Sequence, residues 1–560
     1  MTTENVIAKL AYLEDTKLAI KEAIIDKGVS FNGDENFIGY AFKIGEIQTI
    51  VPETVDFLVK FIDYDGTILK EQRVNSGEDA TAPTLPTHDN LTFQEWNNAF
   101  TNVTRDIDIG ATYITTDGKT HIFIMLTTPT GLAPTLHLTK FTADVMTINW
   151  GDGNSETDST NDNFSKNHIY ATAGNYVITI ECAGSYTLGE DYNNLAIFEE
   201  YPYILTKILI GENVTSIISQ AFSSCYSLQK IVIPTGITSF ANYVFEFCNS
   251  LKSIVIPAGL TTMPAYVLKD CYSVTNIVLP SSLTSIAGSA FLNCHSLQSI
   301  VIPAGVTSIS VSVFESCYLL KSIKVPDGVT VIQASMNRFC FSLQSINLPD
   351  GVTSIQTSAF ENCYSLESIV LPNSLISIAN NVFDSCSSLK SIIIPAGVTS
   401  IGSSVFNYCS SLKSIEIQAG VSSIGLSTFA NCDSLESIVI PDGCIVGTDF
   451  FENCYTLKTF TIPEGQISIG NDFSINNKSL KSVYLPSTIT SIADDAFSFC
   501  QQLNTLEILA ITPPTLHAGA FDIYSKILKI YVPDASIAAY QAATNWLTLA
   551  NYIFPISTRP

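Results

Sequence analysis

The sequence predicts a mainly β protein, most of it a solenoid of about 13 units of 23 residues, preceded by small β modules and an amino-terminal helix. Three observations carry this. First, Cys225, Cys248, Cys271, Cys294, Cys317, Cys340, Cys363, Cys386, Cys409 and Cys432 stand 23 apart; the next step, to Cys454, is 22, and two more steps of 23 reach Asn477 and Cys500. Second, short apolar alternations follow each cysteine and end at a Pro, as in Leu297, Ile300, Ile302 and Pro303. Third, 46% of the chain is apolar and only 14% charged, the composition of a packed chain and not a disordered one.

Each unit follows from its residues. Alternation marks a short strand with Leu297, Ile300 and Ile302 inward. Pro303 cannot donate to a ladder and so ends the strand, Gly305 permits a turn, and Val306 to Ile309 forms a second extended segment. A lone unit buries too little to offset the ordering of 23 backbones, so units must stack. Stacking at about 4.8 Å brings successive cysteines within disulfide range. Yet each would have two equivalent neighbours, and Asn477 holds the same register. A ladder of buried free thiols is therefore expected, with Cys182 and Cys444 outside it. No CxxC or zinc-ligand spacing occurs.

The pattern C-x-S-L-x-x-I-x-I-P-x-G-V-T-S-I resembles the leucine-rich repeat family, specifically its BspA-like class, over about Ile204 to Ile556. Departures are local: Asn337 replaces Phe and Gln418 replaces Pro, and the stretches Gly443–Cys454 and Ser474–Asn477 are irregular. The last segment looks like the end of such arrays. A helix over about Ala535 to Leu549 is expected to cover the final turn with Tyr540 and Trp546.

Four regions are expected: 1–50, 51–113, 114–190 and 191–560. Residues 5–27 read as an amphipathic helix with Leu10, Leu13, Ile20 and Ile24 on one face, stopped by Gly28. That face should anchor the chain to a partner or to a second copy. The run YLEDTKLAIKEAIIDKGVSF resembles amino-terminal modules of phage tail proteins. In 51–113, Asp65-Gly66-Thr67, Phe93, Trp96, Asp106 and Ala111-Thr112-Tyr113 resemble the internalin B-type repeat, which implies a β-grasp-like module. In 114–190, Trp150-Gly151-Asp152-Gly153 with His168, Tyr170, Gly174 and Tyr176 resembles the PKD-like β-sandwich. Asp152, Asp158 and Asp162 miss the spacing of an EF-hand and read as a polar hairpin loop.

Asp plus Glu number 52 against 27 Lys plus Arg, a net charge of −25. This argues against nucleic acid and anionic lipid as partners. No run of 18 apolar residues would insert in a membrane, and Glu4, Lys9, Glu14 and Asp15 interrupt any secretory leader in the first 22 residues. No hydrolase, P-loop or zincin motif is present, and the six histidines are scattered, so no catalytic residue, metal or cofactor is assigned.

Binding surfaces are expected on the solenoid. Seven residues after each cysteine the side chain should point outward, and Val232, Val255, Val278 and Val301 would form an apolar strip for a partner. One residue after the cysteine stand Tyr226, Tyr272, His295, Tyr318 and Tyr364, candidates for stacking on a glycan or anchoring a protein; the bland alternative is packing along a turn. On this reading Tyr272→Ala with Tyr318→Ala weakens adhesion without lowering Tm. A basic row, Lys252, Lys321, Lys390, Lys413, Lys458 and Lys481, reads as a solvated face. The resemblances together imply a non-enzymatic recognition protein. The first expectation is a tail-associated virion protein, docked to other tail proteins through residues 1–50 and presenting the repeats to a host-surface glycan or protein. The alternative is a bacterial surface adhesin; an internal scaffold or enzyme subunit is a weaker third. Self-association into a homo-oligomer is left open.

Overall fold

A computed structural model describes residues 56–127, 132–160, 163–189, 195–517, 519–521 and 529–559. Leu10, Leu13, Ile20 and Ile24, the expected anchoring face, lie outside the described residues, as does Asp162. The described residues fall into two compact units: 56–59, 72–81 and 100–106 belong to one, and those of 60–71, 82–99 and 107–559 to the other.

The described part of the first unit is tied by polar contacts. Leu58 donates its N–H to Asp106 at 2.8 Å, Arg73 pairs with Asp56 at 3.0 Å, and Gly77 donates to the Val103 carbonyl at 2.8 Å. Strands β1 (Asp56–Ile62) and β2 (Ile68–Asn75) pass from one unit into the other.

The second unit is mainly β. After β3 (Leu91–Trp96) and β4 (Ile107–Thr115), paired antiparallel, come β5 (Thr120–Leu126), β6 (Thr135–Lys140), β7 (Met146–Asn149), β8 (Ser155–Asp158), β9 (Asn163–Asn167), β10 (Gly174–Cys182) and β11 (Tyr186–Leu188). Strands β5 to β11 form two facing sheets around Trp150, whose indole donates to Glu156 while Tyr170 donates its hydroxyl to the Trp150 carbonyl. Asp152 is held by His168 at 2.8 Å and by Asn154.

The sandwich runs directly into the repeats. Strand β12 (Leu205–Leu209) pairs antiparallel with β5 on one side and parallel with β14 (Lys230–Val232) on the other. Strand β13 (Val214–Ile217) likewise pairs parallel with β11, itself antiparallel to β6. Both ladders of the solenoid thus start on strands of the sandwich. Its first edge is covered, where an open edge would expose unpaired N–H and C=O groups. One continuous core extends from Ile122 to Ile553.

From there the chain makes about 15 turns. One ladder carries the Ser-Ile-Val run after each cysteine, paired in register 23 residues apart (Ile254↔Ile277, Ile323↔Ile346, Ile392↔Ile415); the other carries the Ser-Ile of Val-Thr-Ser-Ile (Ile286↔Ile309, Ile355↔Ile378). The missing residue before Cys454 is absorbed by pairing Ile424 with Val446.

The cysteines are all free and buried. From Cys248 on, each ladder thiol donates to the carbonyl of the Phe-column residue of the preceding turn, as Cys248 to Phe222 at 3.2 Å, Cys386 to Phe360 at 3.2 Å and Cys454 to Phe429 at 3.1 Å. Burial pushes the thiols up, Cys225 to about 12, so thiolate chemistry is suppressed. Cys444 takes the place that Val306, Val352 and Val398 hold in their turns, a small apolar filler. Beside the cysteines runs a column of stacked rings, Phe360, Phe383, Phe406 and Phe429, with centroids 5.5–5.6 Å apart.

Two local expectations are corrected. Gly305 does not turn the chain by a positive φ: a Cβ there would lie 3.2 Å from the Leu283 carbonyl oxygen, so its role is close packing. The left-handed conformations fall instead on two non-glycine residues per turn, five and one before the cysteine, such as Ser289 (φ 57) and Asn293 (φ 61). The terminal helix is also shorter than expected, Ile537–Ala542. Asn545 adopts φ 65 and donates its amide to the Leu516 carbonyl, which stops the helix, and a 3-10 turn, Leu547–Tyr552, follows. Tyr540 and Trp546 are fully buried and donate to the carbonyls of Ala510 and Pro514, capping the last turns.

Candidate functional site

Two rows on the solenoid surface are candidates for contact and a third reads as a solvated face, and the structure treats them differently.

The outward row begins on a covered face. Val232, Val255 and Val278 are only 2%, 6% and 0% exposed. The expectation of an open strip here is corrected, because the chain's own segments lie over it. Ile62 packs against Val255 and Val278, while Tyr64, Leu91, Ala111 and Tyr113 pack against Leu209 and Val232. Gly110 sits so close that a Cβ would be 2.4 Å from a Val255 methyl. Side-chain amides fix the register. Thr235 donates its N–H to Gln94, Asn97 donates to the Ile256 carbonyl at 3.1 Å, and Asn98 donates to the Leu279 carbonyl at 2.9 Å while accepting from Ser281 N–H. These backbone groups flank Pro234, Pro257 and Pro280, the same place in three successive turns. Lys230 and Asp65 add an ion pair at 3.0 Å. Periodicity along the repeat gave the direction of these valines. Their cover lies more than a hundred residues upstream, and the Gln94, Asn97 and Asn98 amides carry no signal in the repeat itself.

Beyond this cover the row opens. Val301 is half-buried; Lys324, Asn347, Glu416 and Thr461 are exposed; Val370 and Val439 are 46% and 77% exposed. The same strand face therefore holds a folded segment at one end and opens toward solvent between Val301 and Thr461.

The aromatic row is brought together in part. Tyr272, His295, Tyr318, Phe341 and Tyr364 form one face-to-face stack with centroid spacings of 4.6, 4.2, 4.7 and 5.1 Å. Tyr226 stands apart, tilted against Tyr203, because Asn249 interrupts the row. In such a stack each inner ring's faces are taken by its neighbours. A sugar cannot lie flat on His295, Tyr318 or Phe341; it meets ring edges and the outer faces of Tyr272 and Tyr364. Burial lowers the His295 pKa, with Asp270 opposing. Deleting Tyr318 removes two ring contacts of about 0.5–1.5 kcal/mol each, so its replacement by Ala lowers stability, contrary to the sequence-based expectation.

The basic row is exposed and partly neutralised: Lys390 pairs with Glu367 at 2.8 Å and Lys458 with Glu436 at 2.9 Å. Among the described residues no group of three or more His, Cys, Asp or Glu could hold a metal ion, and no helix is long and apolar enough to cross a membrane.

The repeat that builds these rows has known relatives. Residues 215–340, 330–458 and 444–558 match the family described as BspA type Leucine rich repeat region, in six copies. The chain belongs to this family. Repeats of this kind are generally non-enzymatic binding modules. Among solved structures, the chain is similar to a leucine-rich repeat protein from Bacteroides ovatus, 27% identical over 63% of this chain and 95% of that one, with a TM-score of 0.49. It is also similar to a leucine rich cell surface protein from Faecalibacterium prausnitzii, 26% identical over 55% of this chain and 91% of that one, with a TM-score of 0.37. No curated protein matches the chain.

Proposed function

We propose that this BspA-type chain is a non-enzymatic adhesion protein of a bacterial cell surface, and that it holds its partner on the uncovered stretch of the outward row, from Val301 to Thr461. One observation carries this reading. The first turns of that face already grip a folded segment through apolar contact and amide bonds to the proline-flanking backbone, and later turns repeat the same backbone pattern without a cover. Exposed Val370 and Val439 are the apolar anchors there, with Lys324 and Glu416 supplying charge. The virion reading rests on residues 1–50, outside the described residues, so the adhesin reading is the one advanced.

The test pairs location with contact. Antibody labelling of intact bacteria should detect the chain, and purified protein should bind host cells or matrix protein saturably. Val370→Asp with Val439→Asp should weaken that binding by about tenfold or more with Tm unchanged. Unaltered binding by the double variant would move the contact off this face. Recovery of the chain in purified virions, with none on bacteria, would restore the tail reading.

A further inference from the structure

The last turns carry a second feature, on the strands that directly follow the open row, where Tyr484 pairs with Thr461. An open trough of about 450 Å³ lies on the strand face there. Its floor is two rows of side chains in register across neighbouring strands: Ser482, Thr505 and Lys529 form one, and Tyr484, Glu507 and Tyr531 the next, two residues on and so on the same face. Asn504 lines one side. Arg559 reaches back from the end of the chain, pairing with the nearly buried Glu507 carboxylate and lying over the Tyr484 ring, 5.2 Å from its centroid.

The charges do not cancel. Arg559 is committed to Glu507, whereas the exposed Lys529 has no acidic partner among the described residues. A surplus cation thus lines a concavity of a chain whose net charge is −25. The hydrogen-bonding groups are uncommitted too: the side chains of Ser482, Tyr484, Tyr531 and Lys529 hold no hydrogen bond among the described residues. A bare carboxylate would engage Lys529 and leave the hydroxyls idle. A phosphate dianion would call for a second free cation, which Glu507 denies it.

We propose that this trough binds a hydroxyl-rich monoanion, a pyranose bearing a single carboxylate, with Lys529 on the carboxylate and the Ser482, Tyr484 and Asn504 side chains on ring hydroxyls. This deepens the adhesion reading by giving the protein a ligand class at the turns that follow the open row. Ligand-observed NMR titration of the full chain, with glucuronic acid, N-acetylneuraminic acid, glucose and acetate as probes, tests it. Saturable binding of at least one acidic sugar is expected, with glucose and acetate much weaker. Lys529→Ala should weaken that binding about tenfold, the loss of one charge-assisted hydrogen bond, and Tyr484→Phe should weaken it less, both with Tm unchanged. Val370→Asp with Val439→Asp should leave it untouched, so this site and the adhesion face fail or hold independently. The proposal is overturned if neither acidic sugar saturates, if glucose binds as well as glucuronic acid, if acetate binds as well as the sugars, or if Lys529→Ala binds like the parent.

Discussion

Asn337 interrupts the ring column at a point where the packing predicts a large gain from repair. It occupies the Phe position three before Cys340, between Phe314 and Phe360 of the adjoining turns, and is completely buried. Its amide nitrogen and oxygen both lack partners. The missing bulk is supplied one residue earlier by Met336, where the neighbouring turns have Val313 and Ala359. Asn337→Phe together with Met336→Val recreates the Val-Phe pair of Val382-Phe383 and Val405-Phe406. Relieving two orphaned polar groups gains on the order of 1–3 kcal/mol each. Two new ring contacts add about 0.5–1.5 kcal/mol each, and shortening Met costs about 1 kcal/mol. A net gain of at least about 2 kcal/mol is expected, the sum of the low ends of these terms. Global melting of a repeat array averages over turns, so the assay should be local. Cys363 donates its thiol to the Asn337 carbonyl, and Cys340 lies in the same turn. Alkylation of these two cysteines, resolved by mass spectrometry, follows opening of that turn. A 2 kcal/mol gain slows it about thirtyfold. Asn337→Phe alone should gain less, because the ring then overpacks Met336 by about 1–3 kcal/mol. Alkylation of the double variant as fast as the parent would refute the argument and show that the buried amide is satisfied in solution.

Two further outcomes follow from the geometry. Gly110→Val drives a branched side chain into Val255, so it should loosen the cover over Val232, Val255 and Val278 and speed proteolysis within residues 82–115, with the later turns unaffected; equal protection from protease would show that the contact is not close in solution. Near the other end, Asp449, Asp472 and Asp495 occupy one column in successive turns, and burial together with its two neighbours raises the Asp472 pKa. A carboxyl raised in the folded state destabilises at neutral pH and ceases to do so once protonated. Asp472→Asn, which tolerates the left-handed φ of 51 there, should therefore raise Tm at pH 7, with the advantage vanishing as pH falls below the ordinary Asp value. A pH-independent shift in Tm would point to packing rather than charge.

The repeat was legible because one physical requirement, a small buried side chain at the same place in every turn, wrote a cysteine into the sequence at a fixed interval. Where another residue met that requirement the count stopped short. The turns of Ile208 and Ile530 lie in register with the rest but have no cysteine at the ladder position to mark them, so about 13 units became about 15 turns. Substitutions that moved bulk along the chain looked like irregularity: Phe473 carries the bulk that Ser474 lacks, as Met336 does for Asn337. Ser474 in turn accepts a hydrogen bond from Asn477, which stands in the cysteine column, so two polar replacements answer each other inside the core.

Surfaces were less legible than the core for a related reason. A period of two says which way a side chain points and nothing about what lies over it. Val232 and Val439 hold the same place in the repeat, yet one is 2% and the other 77% exposed. The difference is made by Ile62, Tyr64, Gly110 and the Asn97–Asn98 pair, residues whose separate spacing bears no relation to 23. The aromatic row errs in the same direction. A Tyr or His after each cysteine announces accessible rings, but a spacing of one turn is also the stacking distance of rings, so the residues best aligned to face a ligand together are those that spend their faces on each other. A repeat of this kind therefore exposes ring faces and charge where its periodicity breaks: at the outer faces of Tyr272 and Tyr364, at the Lys324 and Glu416 interruptions of the valine row, and at the closing turns where Arg559 folds back.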